Sequence, residues 1–205
     1  MLEVVSAKYD QKGAEDASAS LEAYYPEHVL AFAAKHGTRV VPLAPGVSYC
    51  ISSVTLSKIA PHLDTCPSPP AGLYVIAEKT AYLRKVNDLA VVHEFAHALD
   101  RSLGEAGGYD GYLSFADQSV REAFHVKRGF TTPYAASALD EFFAESVRAY
   151  VEANSDRCPW PKATRERLLA VNPAMYEIVE RLFERMATAM RAEQLSFALG
   201  WAYLA

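Results

Sequence analysis

The chain has 205 residues, 51% of them hydrophobic and 22% charged, which is the composition of a globular protein able to bury its own core. Acidic side chains (25) outnumber Lys and Arg (20) for a formal net charge of −5, and no basic cluster stands out, so nucleic acid and anionic membrane surfaces are not expected partners. Three scattered cysteines, Cys50, Cys66 and Cys158, lack the pair spacing of a zinc ribbon or a disulfide framework and read as buried or incidental thiols, with one disulfide the alternative for an exported protein.

The N-terminal stretch has no basic start followed by an apolar run, and no segment reaches the roughly 18 apolar residues that span a bilayer. The expectation is a soluble, cytoplasmic protein without membrane insertion, with secretion or injection by another route as the alternative. One domain over 1–205 is expected. It comprises a loose segment at 1–20, a helix-plus-strands subregion at 21–85 and a helical subregion at 86–205. Residues 8–20 are polar and Ala/Ser-rich and read as a lead-in. Pro26 and Gly37 bracket a helix over 26–36, by the usual placement of Pro at a helix start and Gly past its end. The β-branched and aromatic runs 38–44 and 47–56, parted by Pro45-Gly46, predict two strands. A loop over 62–72 leads to a third strand at 72–79.

Asn87 is placed to cap a helix that Gly104 closes. The Gly-rich region 104–118 is irregular, with Tyr109 and Tyr112 read as a lip over a cleft. A helix follows at 119–128. Ser137 and Asp140 resemble a capping box for a helix over 138–153. After the break NSDRCPWPK, where Trp160 reads as a packing anchor, the chain from 162 is helical. Met175, Ile178, Val179, Leu182, Phe183 and Met186 form a core-facing stripe there. The apolar end, 195–205, is expected to dock on the core. A few strands followed by many helices define an α+β protein with a small mixed or antiparallel sheet on a mostly helical body.

The segment AVVHEFAHALD carries the chemistry. Residues four apart share a helix face, so His93 and His97 can present two imidazole nitrogens to one ion. Glu94 projects about 100° away, where it reaches a water rather than the ion. This is the H-E-x-x-H arrangement of a zinc site with Glu as general base. An apolar stripe of Leu89, Val92, Ala96, Leu99 and Leu103 runs beside the histidines. Asp100 lies about 20° from His93 in projection, two turns on, placed to orient an imidazole or anchor a neighbouring loop. Asp140, Glu141 and Glu145 are the candidates for a third ligand. Glu141 and Glu145 share a face among Phe142, Phe143, Val147 and Tyr150, and a carboxylate in so apolar a helix needs a partner. If Glu141 meets the ion, Glu145 one turn on can brace a ligand histidine. His28, His36, His62 and His125 have no partner at metal spacing.

HEFAHALD, followed 44 residues after His97 by EFFAES, resembles the catalytic domain of anthrax lethal factor and the related Pro-Pro endopeptidases and Mlc titration factor A peptidases. The resemblance spans roughly residues 70–185 and implies a zincin-like metallopeptidase domain of the gluzincin type, with one catalytic zinc ion. It implies Glu141 as the third zinc ligand. It also implies that Tyr134, seven residues before Glu141, points into the active site and stabilises the oxyanion. The expected function is a zinc-dependent endopeptidase acting on a peptide or protein substrate. An extended peptide would add to an edge strand at 73–78, in contact with Tyr74, Val75 and Ile76. The alternative is a metal-binding regulatory protein with little turnover, since Mlc titration factor relatives also bind a repressor.

Overall fold

The computed structural model describes residues 2–4, 10–126, 129–156, 158 and 160–202, with side chains to residue 192. Four short strands form one mixed sheet: β1 (Glu3–Val4), β2 (Arg39–Pro42), β3 (Gly72–Val75) and β4 (Thr80–Leu83). Their order is β1-β2-β4-β3. β2 is parallel to both of its neighbours, and β3 is an antiparallel edge paired Gly72↔Leu83 through Val75↔Thr80. The protein is α+β, as its strand-then-helix pattern leads one to expect.

The segment read as a loose lead-in is helix α1 (Gln11–Tyr24). Its buried face is Gly13, Ala14, Ala17, Ser20 and Leu21, a stripe of mostly small side chains at helical spacing. Small residues carry little hydrophobic signal, yet they let the helix lie close on β2 and on α5 (Asp88–Ala106). Helix α2 (Glu27–Lys35) follows Pro26 as expected.

The strand expected at 47–56 is absent. In its place stand two short helices, α3 (Tyr49–Ser52) and α4 (Val54–Ile59). Each has a serine cap: Ser48 Oγ accepts from the Ile51 N–H and Ser53 Oγ from the Leu56 N–H. Both edges of β2 are occupied, by β1 and β4, so a strand following it in sequence cannot pair with β2 as a hairpin. The third strand is also shorter than expected. After Val75 the chain turns through a 3-10 segment, Ile76–Glu78, and Lys79 at φ 50°. Glu78 fixes this turn by accepting hydrogen bonds from the Thr55 N–H, Ser53 Oγ and Tyr82 Oη.

Asn87 caps α5, its side chain accepting from the Ala90 N–H at 3.1 Å. Gly104 does not end this helix. It lies inside α5, where an added Cβ would collide with the Gly111 carbonyl oxygen, and the helix stops at Gly107. Val91, Val92, Phe95, Ala96, Ala98 and Leu99 are all at most 1% exposed, so α5 is wrapped on most of its circumference and forms the axis of the core.

Beyond it, Asp117 caps α7 (Gln118–Phe124), preceded by the single turn α6 (Leu113–Ala116); the expected helix 119–128 thus begins slightly earlier, and residues 127–128 lie outside the described set. Helix α8 (Leu139–Tyr150) packs along α5. The expected capping box at its start is not formed. Ala138 occupies the N-cap position, and Ser137 Oγ donates to the Tyr134 carbonyl, committed to the preceding 3-10 turn. Thr164 caps α9 (Arg165–Val171), and α10 (Pro173–Ala202) buries the stripe from Met175 to Met186. The side chains of the apolar end, 195–205, lie outside the described residues. All three cysteines are free. Among the described residues no helix is long and apolar enough to cross a membrane.

Candidate metal centre

The packing of α8 on α5 brings Glu141 to His93 and His97. Three atoms converge: His93 Nε2 lies 3.2 Å from His97 Nε2 and 3.0 Å from Glu141 Oε2, which is 3.5 Å from His97 Nε2. Donors held about 2.05 Å from a tetrahedral ion stand about 3.3 Å from one another, so this triangle has the size of one face of a zinc coordination shell. Imidazole and carboxylate also suit that ion. Glu141 Oε2, buried, has no hydrogen-bonding partner of ordinary geometry among the described residues. The residues present therefore fit a zinc ion. Asp140, the third acidic candidate, is not part of this group.

A buried carboxylate, Glu145, organises the region. It accepts from His93 Nδ1 at 3.0 Å, from Thr132 Oγ1 at 2.6 Å, and from Arg148 twice, Nε at 2.8 Å and Nη2 at 2.7 Å. Glu145 and Arg148 are 3% and 5% exposed, and Arg148 also donates to the Ala153 carbonyl. The fork of the guanidinium on the carboxylate is the strong bidentate arrangement. Burial pushes Glu145 up, but Arg148 and His93 overcome it and hold the carboxyl well below its usual range. An ionised Glu145 accepts at His93 Nδ1, which fixes the ring with Nε2 facing His97 Nε2 and Glu141 Oε2.

Burial lowers His93, yet the adjacent Glu141 and Glu145 carboxylates prevail and push it up to about 10. Burial likewise raises Glu141, and the two histidines outweigh it and hold the carboxyl well below the usual carboxylate range. The pocket thus concentrates negative potential where a cation would sit.

Glu94 is buried beside Gly72, the first residue of β3. A side chain on Gly72 would collide with Glu94 Cγ, so the glycine makes the notch in which this carboxylate lies. Burial raises Glu94 above an ordinary glutamate, opposed by the two histidines. Tyr134 stands in the 3-10 turn Tyr134–Ala136, its ring 5.6 Å from that of His93 and its Oη donating to Glu141 Oε1 at 2.8 Å. Thr132 links this turn to Glu145, since its Oγ1 also accepts from the Ala135 N–H.

Other expected positions fall differently. Asp100 touches neither imidazole. It is fully buried and accepts from the Ser114 N–H and Oγ at 2.8 and 2.6 Å, anchoring α6, the second of its two expected tasks. Tyr74 and Val75 lie in the edge strand, but their side chains are buried, which leaves only their backbone to an added peptide. Ile76 is outside the strand, drawn into the turn that Glu78 fixes. Tyr112 is no lip: it is 8% exposed and packs between Tyr74 and His97. Tyr109 lies in a separate hollow with Phe32 and Leu182. Thr132, Arg148 and Gly72 were not foreseen. Only Arg148, three residues after Glu145 on an apolar helix, carried a readable signal.

A cleft of about 520 Å³ opens over the site, lined by His93, Glu94, Gly72, Tyr134 and Trp160 among others. Trp160, expected as a packing anchor, stacks on Tyr134 at 6.3 Å but remains 41% exposed to this cleft.

The fold has a counterpart among solved structures, a Pro-Pro endopeptidase from Paenibacillus alvei. The likeness has a TM-score of 0.53 over 88% of this chain and 96% of the other, at 20% sequence identity. No protein-family model and no curated protein matches this sequence. At that identity the likeness establishes a shared fold, and it falls on one of the groups the motifs resemble rather than on lethal factor itself.

Proposed function

We propose that this protein is a zinc-dependent endopeptidase of the gluzincin type, with His93, His97 and Glu141 as zinc ligands. The observation that carries the reading is the convergence of three donor atoms within 4.8 Å of one another, beside a buried glutamate and an open cleft. The shared fold with a Pro-Pro endopeptidase supports the same reading.

When bound, zinc supplies Lewis acidity toward water and the scissile carbonyl. Glu94 acts as the base. It takes a proton from the attacking water and hands it to the leaving amine. Its burial, which raises its affinity for a proton, suits both halves of that transfer. Tyr134 Oη shifts its hydrogen bond from Glu141 Oε1 to the developing oxyanion. Burial and the nearby carboxylates raise Tyr134, so it stays protonated and able to donate. The free edge of β3 binds the substrate backbone, with the Gly72 notch holding Glu94 against the line of the peptide.

The test is cleavage of a mixed peptide library by zinc-loaded protein, with and without chelator, and by Glu94→Gln. Chelator-sensitive cleavage that Glu94→Gln abolishes while retaining one zinc per chain is expected. Wild-type turnover by Glu94→Gln would overturn the assignment of the base. Tight capture of a partner protein with no cleavage of any peptide would instead support the regulatory alternative.

A further inference from the structure

Trp160 reaches the cleft from a segment tied at its two ends. The Asn154 side chain donates through Nδ2 to the Ala163 carbonyl at 2.8 Å and accepts through Oδ1 from the Ala163 N–H at 2.9 Å. An amide side chain thus mimics a strand partner and ties residue 154 to residue 163. Ala163 is fully buried, so the clamp fixes the loop's neck against the core, and an Asp156–Lys162 ion pair at 3.0 Å lies across it outside. The loop carries Trp160 to the cleft, where one face meets Tyr134 and the indole stays 41% exposed. A large aromatic side chain left partly open at the cleft offers its ring to whatever enters there.

The cleft that Trp160 lines also offers the apolar side chains of Pro70, Ala71, Leu89, Ala90 and Tyr134, with Lys85 and Asn87 as polar members of the same lining. The polar groups at its base, Glu145 and Arg148, are already paired with each other. The strand direction orients a peptide here. β3 runs from Gly72 to Val75, and Glu94 lies against Gly72. A peptide added antiparallel to β3 therefore carries its C-terminal half past Glu94 toward Pro70, which lines the same cleft as Trp160.

We propose that Trp160 is the substrate-contacting residue of this cleft, selecting a bulky apolar side chain on the C-terminal side of the scissile bond. The proposal rests on the peptidase reading for the meaning of "scissile", but the pocket is testable without turnover.

The chain has two tryptophans, Trp160 and Trp201, so Trp201→Phe leaves Trp160 as the sole indole reporter. Zinc-loaded Glu94→Gln/Trp201→Phe is titrated with the hexapeptides Ac-Ala-Ala-Ala-X-Ala-Ala-NH2, where X is Phe, Leu, Gly or Asp, following indole emission. Cleavage of the same peptides by wild type, Trp160→Ala and Trp160→Phe is measured, with mass spectrometry locating the cut. Saturable emission changes at least about tenfold tighter for Phe and Leu than for Gly and Asp are expected. Cleavage should fall on the N-terminal side of X. Trp160→Ala should lose that preference at unchanged zinc content, and Trp160→Phe should keep most of it. Equal affinity for all four peptides, absence of binding, or an undiminished preference in Trp160→Ala would overturn the proposal. Selective binding with no cleavage by wild type would sink the peptidase reading and leave the pocket standing. Cleavage with a preference indifferent to residue 160 would do the reverse.

Discussion

Replacing Glu145 by alanine is the most informative perturbation of this protein. The substitution removes a carboxylate that accepts four hydrogen bonds from three residues and leaves the Arg148 guanidinium, 5% exposed, with the Ala153 carbonyl as its remaining hydrogen-bond partner among the described residues. Breaking one side of a buried ion pair costs about 3–5 kcal/mol, because the remaining charge keeps its desolvation penalty. Unfolding entropy of about 2.1 cal/mol/K per residue gives about 0.43 kcal/mol/K for a chain of this length, so Tm should fall by about 7–12 °C. The melt is followed by circular dichroism in chelator, which removes any contribution from bound metal. The paired variant Glu145→Leu/Arg148→Met should recover most of the loss, since it leaves no buried charge. In separate titrations, Glu145→Ala should weaken zinc binding about 10–100-fold by freeing the His93 ring. A Tm drop below about 2 °C, or a double variant no better than the single one, would refute the hub.

Three further outcomes are expected. Gly104→Ala, a change that gains about 1 kcal/mol in an ordinary helix interior, should here destabilise by about 1–3 kcal/mol, because its Cβ would meet the Gly111 carbonyl; an unchanged or raised Tm contradicts this. Gly72→Ala should push Glu94 from its notch and reduce kcat at least tenfold with zinc content unaltered, whereas full activity would mean the notch is not needed. Burial pushes the Asp100 carboxyl up to about 8 against the hydrogen bonds from Ser114. The folded state then keeps a proton that the unfolded chain has released, so this stability is fully present below about pH 4 and is lost as pH rises toward 8. Asp100→Asn can keep both contacts to Ser114 and lacks this slope. The Tm of the variant should therefore gain on wild type between pH 5 and 8, and parallel curves would show Asp100 to be ionised throughout.

The helices that carry the centre were legible because two kinds of signal coincide in them. In α5 the chemistry of His93, Glu94 and His97 rides on an apolar period with Asn87 at its start. In α8 two carboxylates stand where Phe142 and Phe143 demand burial, and buried charge implies a partner. The legibility fails where the deciding fact is tertiary. Helix α1 hides because Gly13, Ala14 and Ala17 bury little area while allowing close approach. Residues 47–56 have strand composition, but both edges of β2 are already taken, and Ser48 and Ser53 supply caps instead. Thr132, Gly72 and the Asn154–Ala163 clamp act through neighbours distant in sequence, and no local period announces them.

The Glu145 carboxylate has an evolutionary corollary. One side chain both orients the His93 imidazole and neutralises a buried guanidinium, so, on the proposed function, selection for folding alone would preserve residues 145 and 148 in a descendant without hydrolytic activity. Glu94 meets the Tyr74 backbone but neutralises no buried guanidinium among the described residues. Among relatives of this chain, drift at position 94 with retention at 145 and 148 would mark the lineages that have become binders rather than enzymes.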